Sequence, residues 1–150
     1  MAVVSARAAG SPGRGAAPAA VVLALLTVRG RYALQHRDDR PDIASAGRWG
    51  LFGGSVDGDE TPSAAVRREV HEELAVDVAD WQELWRIRYH DPFWDEEVLH
   101  IVFAADVTDL WDRHVLREGQ ATGLFVVDDL PRPMDPFVMA LLERHHSACR

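Results

Sequence analysis

Residues 54–76 read GSVDGDETPSAAVRREVHEELAV, and the second half of this stretch decides how the chain folds and what it can hold. Positions i, i+3 and i+4 share one face of a helix. In the run RREVHEEL, that spacing gathers Glu69, Glu72 and Glu73 into one carboxylate cluster. Val66, Val70 and Leu74 fall on the other side. Like charges at this spacing cost an isolated helix a few tenths of a kcal/mol per pair, so something has to compensate them. A hard divalent cation, which prefers oxygen ligands, is the natural candidate. The helix has readable ends. Thr61 is an N-cap residue and Pro62 takes the first helical position, where a missing N–H costs nothing. Before it, Gly53, Gly54 and Gly58 allow sharp turns and close approach to a ligand. A glycine-bearing loop therefore feeds a helix spanning about 62–74 whose exposed face is acidic.

The order Gly54, five residues, Glu60, seven residues, Arg68-Glu69-Val70, one residue, Glu72-Glu73, one residue, Ala75-Val76 resembles the Nudix box. Every fixed position matches except Ala75, where the family has glycine. That glycine ends the helix in a left-handed conformation, which costs another residue about 1 kcal/mol or more. The departure bears on the helix exit and removes no ligand.

Outward from this stretch, residues 1–18 are rich in Ala, Gly, Pro, Ser and Arg without periodicity and read as a flexible N-terminal arm, with a single domain over 19–150. Ala19–Leu26 follows two arginines as a signal peptide's apolar segment would. It is too short to span a membrane and lacks a small-residue cleavage site, so a buried first strand is the better reading. Strands are expected over 19–28 and 31–37 around Arg29-Gly30, with a loop over 38–47 and a short strand over 48–52. After the helix, 76–78 and 81–90 read as extended. Asp91-Pro92 breaks the second of these, and 93–97 forms an acidic hairpin tip. Residues 98–107 make an apolar strand, 109–119 a connection with a helical turn, and 123–127 a further strand. Asp135 caps a last helix from Pro136 to about His146, with Phe137, Ala140 and Leu141 on its packed face. Strands and helices that do not strictly alternate predict an α/β fold with a mixed sheet. The family resemblance implies the same: a Nudix-type α/β/α sandwich.

Composition narrows the function. The chain has 150 residues, 47% hydrophobic and 27% charged, with a net charge of -8. All 16 basic residues are arginine. An acidic balance argues against a nucleic-acid partner, whose footprint is a basic patch. No segment reads as membrane-spanning. Cys149 is alone, which rules out an internal disulfide and fits a reducing, cytoplasmic setting.

The resemblance implies hydrolysis of a diphosphate joined to another moiety, with Mg2+ or Mn2+ as cofactor and a small-molecule diphosphate as partner. Carried onto this chain, the metal ligands are Glu69, Glu72 and Glu73, with the backbone of Gly54 beside them. Arg68 orients the glutamates and Glu60 fixes the loop against the helix, a bracing task that suits a planar guanidinium. The general base is Glu69 or a loop acid beyond the box, first Glu118 and then Asp95, Glu96 and Glu97. Substrate contacts are assigned to Gly53, Gly54, Phe52 and Trp49. Trp49, Phe52, Phe93, Trp94 and Phe125 are the rings available to stack a base, and at least three of these five are expected in the core. A nucleoside diphosphate derivative is the leading substrate class: a non-standard or oxidised nucleoside triphosphate, a nucleotide sugar or a related metabolite. A prenyl diphosphate is the alternative. An isopentenyl diphosphate isomerase needs a pocket cysteine, and Cys149 is terminal. A non-catalytic nucleotide sensor predicts a lost acid, and none is missing. Dimers are common in the family, which implies a homodimer.

Overall fold

Strand β1, Ala20–Val28, is almost continuously apolar because both of its faces are covered. Alternate residues go to opposite sides of the sheet. Val22, Ala24, Leu26 and Val28 pack into one core and Leu25 into the other. The computed structural model describes residues 15–149, so most of the expected arm, residues 1–14, lies outside the described residues.

Around β1 are β2 (Arg31–His36), β3 (Trp49–Gly50), β4 (Phe52–Ser55), β5 (Gln82–Asp91), β6 (Glu96–Asp106) and β7 (Ala121–Phe125). The path β3-β2-β1-β6-β5 carries most of the sheet, with β4 paired to β1 and β7 to β2. Only the β1–β6 pairing among these is parallel, and the others are antiparallel, which makes the sheet mixed. Strand β1 serves two partners on one edge: Val21–Ala24 pair with β4, and Leu26–Val28 pair with β2. The sheet thereby splits where Gly53 and Gly54 lie.

Helix α1, Pro62–Leu74, covers one face through Ala65, Val66, Val70 and Leu74. The short α2, Thr108–Trp111, adds Trp111 to that core. Helix α3, Pro136–Ala148, covers the other face with Val138, Leu141 and Leu142. Of the expected Phe137, Ala140 and Leu141, Leu141 is in this core and Phe137 packs against its edge, stacked on Tyr89 at 4.1 Å, while Val138 and Leu142 take the place of Ala140. The result is the expected α/β/α sandwich.

Element boundaries moved in three places. Val76 and Val78 are buried in a loop without a ladder, since α1 must be joined to a distant edge strand. Strand β5 continues through Asp91, and Glu96 and Glu97 already belong to β6, so the hairpin tip is 92–95. Strand β7 ends at Phe125, and a 3-10 turn, Val127–Asp129, follows.

Candidate active site

Thr61 accepts a hydrogen bond from the Ala64 N–H and Pro62 opens α1, so the helix begins where its capping chemistry dictates. It ends at Ala75, which adopts φ 59 and ψ 26, the left-handed conformation that the family's glycine would take without strain.

Arg68 joins the loop to the helix. Its Nε donates to Glu60 Oε2 at 2.7 Å and its Nη2 to Glu60 Oε1 at 2.9 Å, a two-pronged pair. The same Nη2 donates to the Ser55 carbonyl at 3.0 Å, and Nη1 reaches Glu69 at 2.9 Å and Glu72 at 3.2 Å. The guanidinium, with help from the Asp57 N–H, holds the Glu60 pKa down to about 2. One planar cation thus fixes the glycine loop, the start of the helix and two of the clustered acids.

The acidic face is graded, not uniformly exposed. Glu72 is 56% exposed and Glu69 15%, while Glu73 is 1% exposed. The Gly53 N–H donates to Glu73 Oε1 at 2.9 Å. Burial, then the neighbouring Glu118 carboxyl, push the Glu73 pKa up to about 9. Burial also raises that of Glu69, against the pull of Arg68. Glu118 arrives from a loop that docks on the end of α1, where the Val115 and Arg117 N–H groups donate to the Leu74 and Glu73 carbonyls. Gln35, itself buried, donates from Nε2 to the Glu118 carbonyl at 2.8 Å. Gly119 follows at φ +94, and an added Cβ would stand 2.9 Å from the His36 carbonyl. Four carboxylates are gathered in this way, from one helix and one distant loop.

The glycines are required by contact. A Cβ on Gly53 would lie 2.0 Å from the Val22 carbonyl, and one on Gly54 would lie 2.5 Å from the Glu69 carboxylate. Gly53 and Gly54 also line a cavity of about 630 Å³, together with Arg37, Arg48, Phe93 and Trp94. This volume suits a small-molecule site.

Most of the anticipated residues meet here: Arg68, Glu69, Glu73 and Glu118 are neighbours, with Gly53 against Glu73 and Gly54 against Glu69. Asp95 sits apart on the hairpin tip, paired with His90 at 2.8 Å. Two assignments are corrected. Phe52 is 0% exposed and packs under α1, so its ring is part of the core and does not line the cavity. Trp49 is held between His36, stacked at 4.9 Å, and the edge of Phe125, and packs against the α3-side core. Strand alternation places these rings, and only Phe93 and Trp94 of the five reach the cavity. Arg37, which lies between the cavity and Glu118, was not anticipated; it lines both the large cavity and a smaller one beside Glu118. A lone arginine at the end of a strand carries no local signal of such a position.

The donor set suits a hard divalent cation, since four carboxylates gather while Arg68 neutralises only part of their charge. Among the described residues no three such groups already converge on one point. The reason is visible: Glu69 and Glu72 turn to Arg68, and Glu73 turns to Gly53.

A family profile described as NUDIX domain matches residues 16–142. A Mycobacterium tuberculosis protein with the provisional name 8-oxo-dGTP diphosphatase 2 is 47% identical over 60 residues, 40% of this chain and 42% of the relative. The match thus spans well under half of that relative's length. A MutT NUDIX hydrolase from Burkholderia pseudomallei is 28% identical, with a TM-score of 0.70 over 85% of this chain and 97% of that one. The NUDIX domain of Shewanella oneidensis NrtR, complexed with ADP ribose, shares the fold at a TM-score of 0.71 and 19% identity, with both chains fully covered.

Proposed function

The chain belongs to the Nudix family, and from that premise we propose that it hydrolyses the diphosphate linkage of a nucleoside triphosphate, in first place a non-standard or oxidised one. Glu69, Glu72, Glu73 and Glu118 would hold divalent cations, Mg2+ or Mn2+ in its place. A bound cation of this kind offsets the charge of a diphosphate and makes a bound water more acidic. The protein's own groups do the rest. Gly53 and Gly54 line the cavity and let Glu73 and Glu69 close on the strand, and Arg68 holds the acids in register. Arg37 and Arg48 face the cavity, where their charge suits a polyanion. Glu118, or Glu69, would take the proton from the attacking water.

One observation carries this reading. Two carboxylates from distant parts of the chain meet beside the paired glycines, the buried Glu73, which the Gly53 N–H holds, and Glu118 from an exposed loop. A structural acid has no reason to be brought to another acid there. The provisional name of the M. tuberculosis relative supports the substrate class.

The test is product release across 8-oxo-dGTP, the four dNTPs, nucleotide sugars, dinucleotides and prenyl diphosphates, with products identified. Hydrolysis is expected to stop when the cation is chelated. Glu73→Gln is expected to lower turnover by two or more orders of magnitude with the fold intact. Turnover unchanged by either treatment overturns the proposal.

A further inference from the structure

The far end of the cavity, away from the acids, holds groups that the reaction does not need. Its wall carries Asp91 and His100 at the join of β5 and β6. The side chains are 13% and 6% exposed, and Asp91 Oδ2 lies 3.9 Å from His100 Nε2. Asp91 Oδ1 is occupied by the Phe93 N–H at 2.8 Å. His100 Nδ1 lies 2.9 Å from the Val98 carbonyl oxygen. A carbonyl only accepts, so the ring proton belongs on Nδ1 and Nε2 keeps its lone pair. Burial lowers the His100 pKa, which favours this neutral form. Two acceptors therefore stand side by side in a buried wall with no donor between them. Both belong to residues that line the cavity, where a ligand can supply donors.

The same cavity supplies the opposite group. Trp94 Nε1 is buried and has no hydrogen-bond partner, although Trp94 lines the cavity. Stacked Tyr89 and Phe137, 4.1 Å apart, add flat apolar surface to the wall, and Phe137 meets His100 edge-on at 5.0 Å. One donor, two adjacent acceptors and flat rings complement a base edge that presents one acceptor and two adjacent donors.

Resting on the proposed reading of the cavity as a nucleotide site, we propose that Asp91 and His100 select a guanine-type base by accepting from its ring N–H and adjacent amino group, with Trp94 donating to its carbonyl. Guanine and 8-oxoguanine share this edge. Hypoxanthine lacks the amino group, and adenine reverses the pattern.

Calorimetric binding of GMP, 8-oxo-GMP, IMP and AMP to the full chain, with chelator and without turnover, tests this directly. GMP and 8-oxo-GMP are each expected to bind about ten-fold or more tightly than IMP and AMP, the usual discrimination when a buried acceptor loses its donor. Whichever of the two binds more tightly identifies the source, and the edge reading stands in either case. Asp91→Asn keeps the acceptor for the Phe93 N–H and turns an amino group towards the ligand, so the GMP-to-IMP ratio should fall to near one. Should that variant fail to fold, His100→Phe keeps the aromatic packing, removes the acceptor and should narrow the ratio in the same way. Equal binding of GMP and IMP by the unaltered protein, or an unchanged ratio in a folded variant, overturns the inference. Discrimination without hydrolysis of any nucleotide would overturn the hydrolase reading alone, and hydrolysis without discrimination would overturn this inference alone.

Discussion

Replacing Arg68 by lysine keeps a positive charge and loses the planar fork, which makes it a clean probe of what the residue does. A lysine ammonium can meet Glu60 or the Glu69–Glu72 pair, but its single nitrogen cannot serve both along with the Ser55 carbonyl. The ligands would then lose their common brace. Arg68→Lys is expected to raise the cation concentration needed for half-maximal hydrolysis about 10- to 100-fold, the usual cost of losing a group that orients metal ligands. A titration of activity with Mg2+ measures this; an unchanged midpoint would reduce Arg68 to a surface ion pair. At this scale much of the site was legible. The spacing of Glu69, Glu72 and Glu73 on one helical face follows from the helix period alone. Burial did not follow, because the period says which side a residue faces and not what the neighbouring strand presses against it. Glu73 therefore proved buried beside Gly53 where an exposed acid was expected.

Helix α1 has one local conflict, at its exit. Ala75 holds a positive φ that places its Cβ against its own backbone. Its N–H still donates to the His71 carbonyl, so the turn closes in spite of the strain. Ala75→Gly is expected to raise stability by about 1 kcal/mol. That corresponds to a rise of about 2–4 °C in Tm for a domain of this size, read by a thermal melt. No gain would mean that the left-handed exit is absent in solution. The start of the helix was predictable to the residue because Thr61 and Pro62 act through local chemistry. Strand ends were less so. Strand β5 stops at Asp91, directly before the proline expected to break it, while cross-strand pairing of Asp91 with Glu96 and of His90 with Glu97 draws two acids of the expected tip into β6. The rings of Phe52 and Trp49 illustrate the same limit, since adjoining short strands decide which wall each ring joins.

Across the whole molecule, the two layers of helix are tied to the sheet by packing and by a few polar contacts. One of these is the hydrogen bond between the Tyr32 hydroxyl and His145 Nδ1, 2.8 Å apart, which joins β2 to α3. Burial, and then His146, lower the His145 pKa. The sign follows directly. An unfolded chain takes up a proton near pH 6.5, whereas folded His145 does so only at lower pH, so its contribution is full above that value and is lost as pH falls. In melts at pH 7.5 and 5.5, the stability advantage of the protein over His145→Gln is expected to narrow at the lower pH; a constant gap would refute this. The sequence by itself determined the mixed α/β class, helix α1 with its start and the three acids on its face, while the bracing role of Arg68 was what the family resemblance implied. The class rests on the order of strands and helices along the chain, and the helix and its acids on periodicity, capping and spacing within one stretch, where neighbours along the chain are neighbours in space. Only the tertiary structure decided that Glu118 meets Glu73, that Arg37 faces the cavity, and that Asp91, His100 and Trp94 share its far wall. Glu73 and Glu118 lie tens of residues apart and are brought together by loop amides docking on the end of a helix, whereas Asp91, Trp94 and His100 come together within the β5–β6 hairpin, where cross-strand pairing sets their spacing.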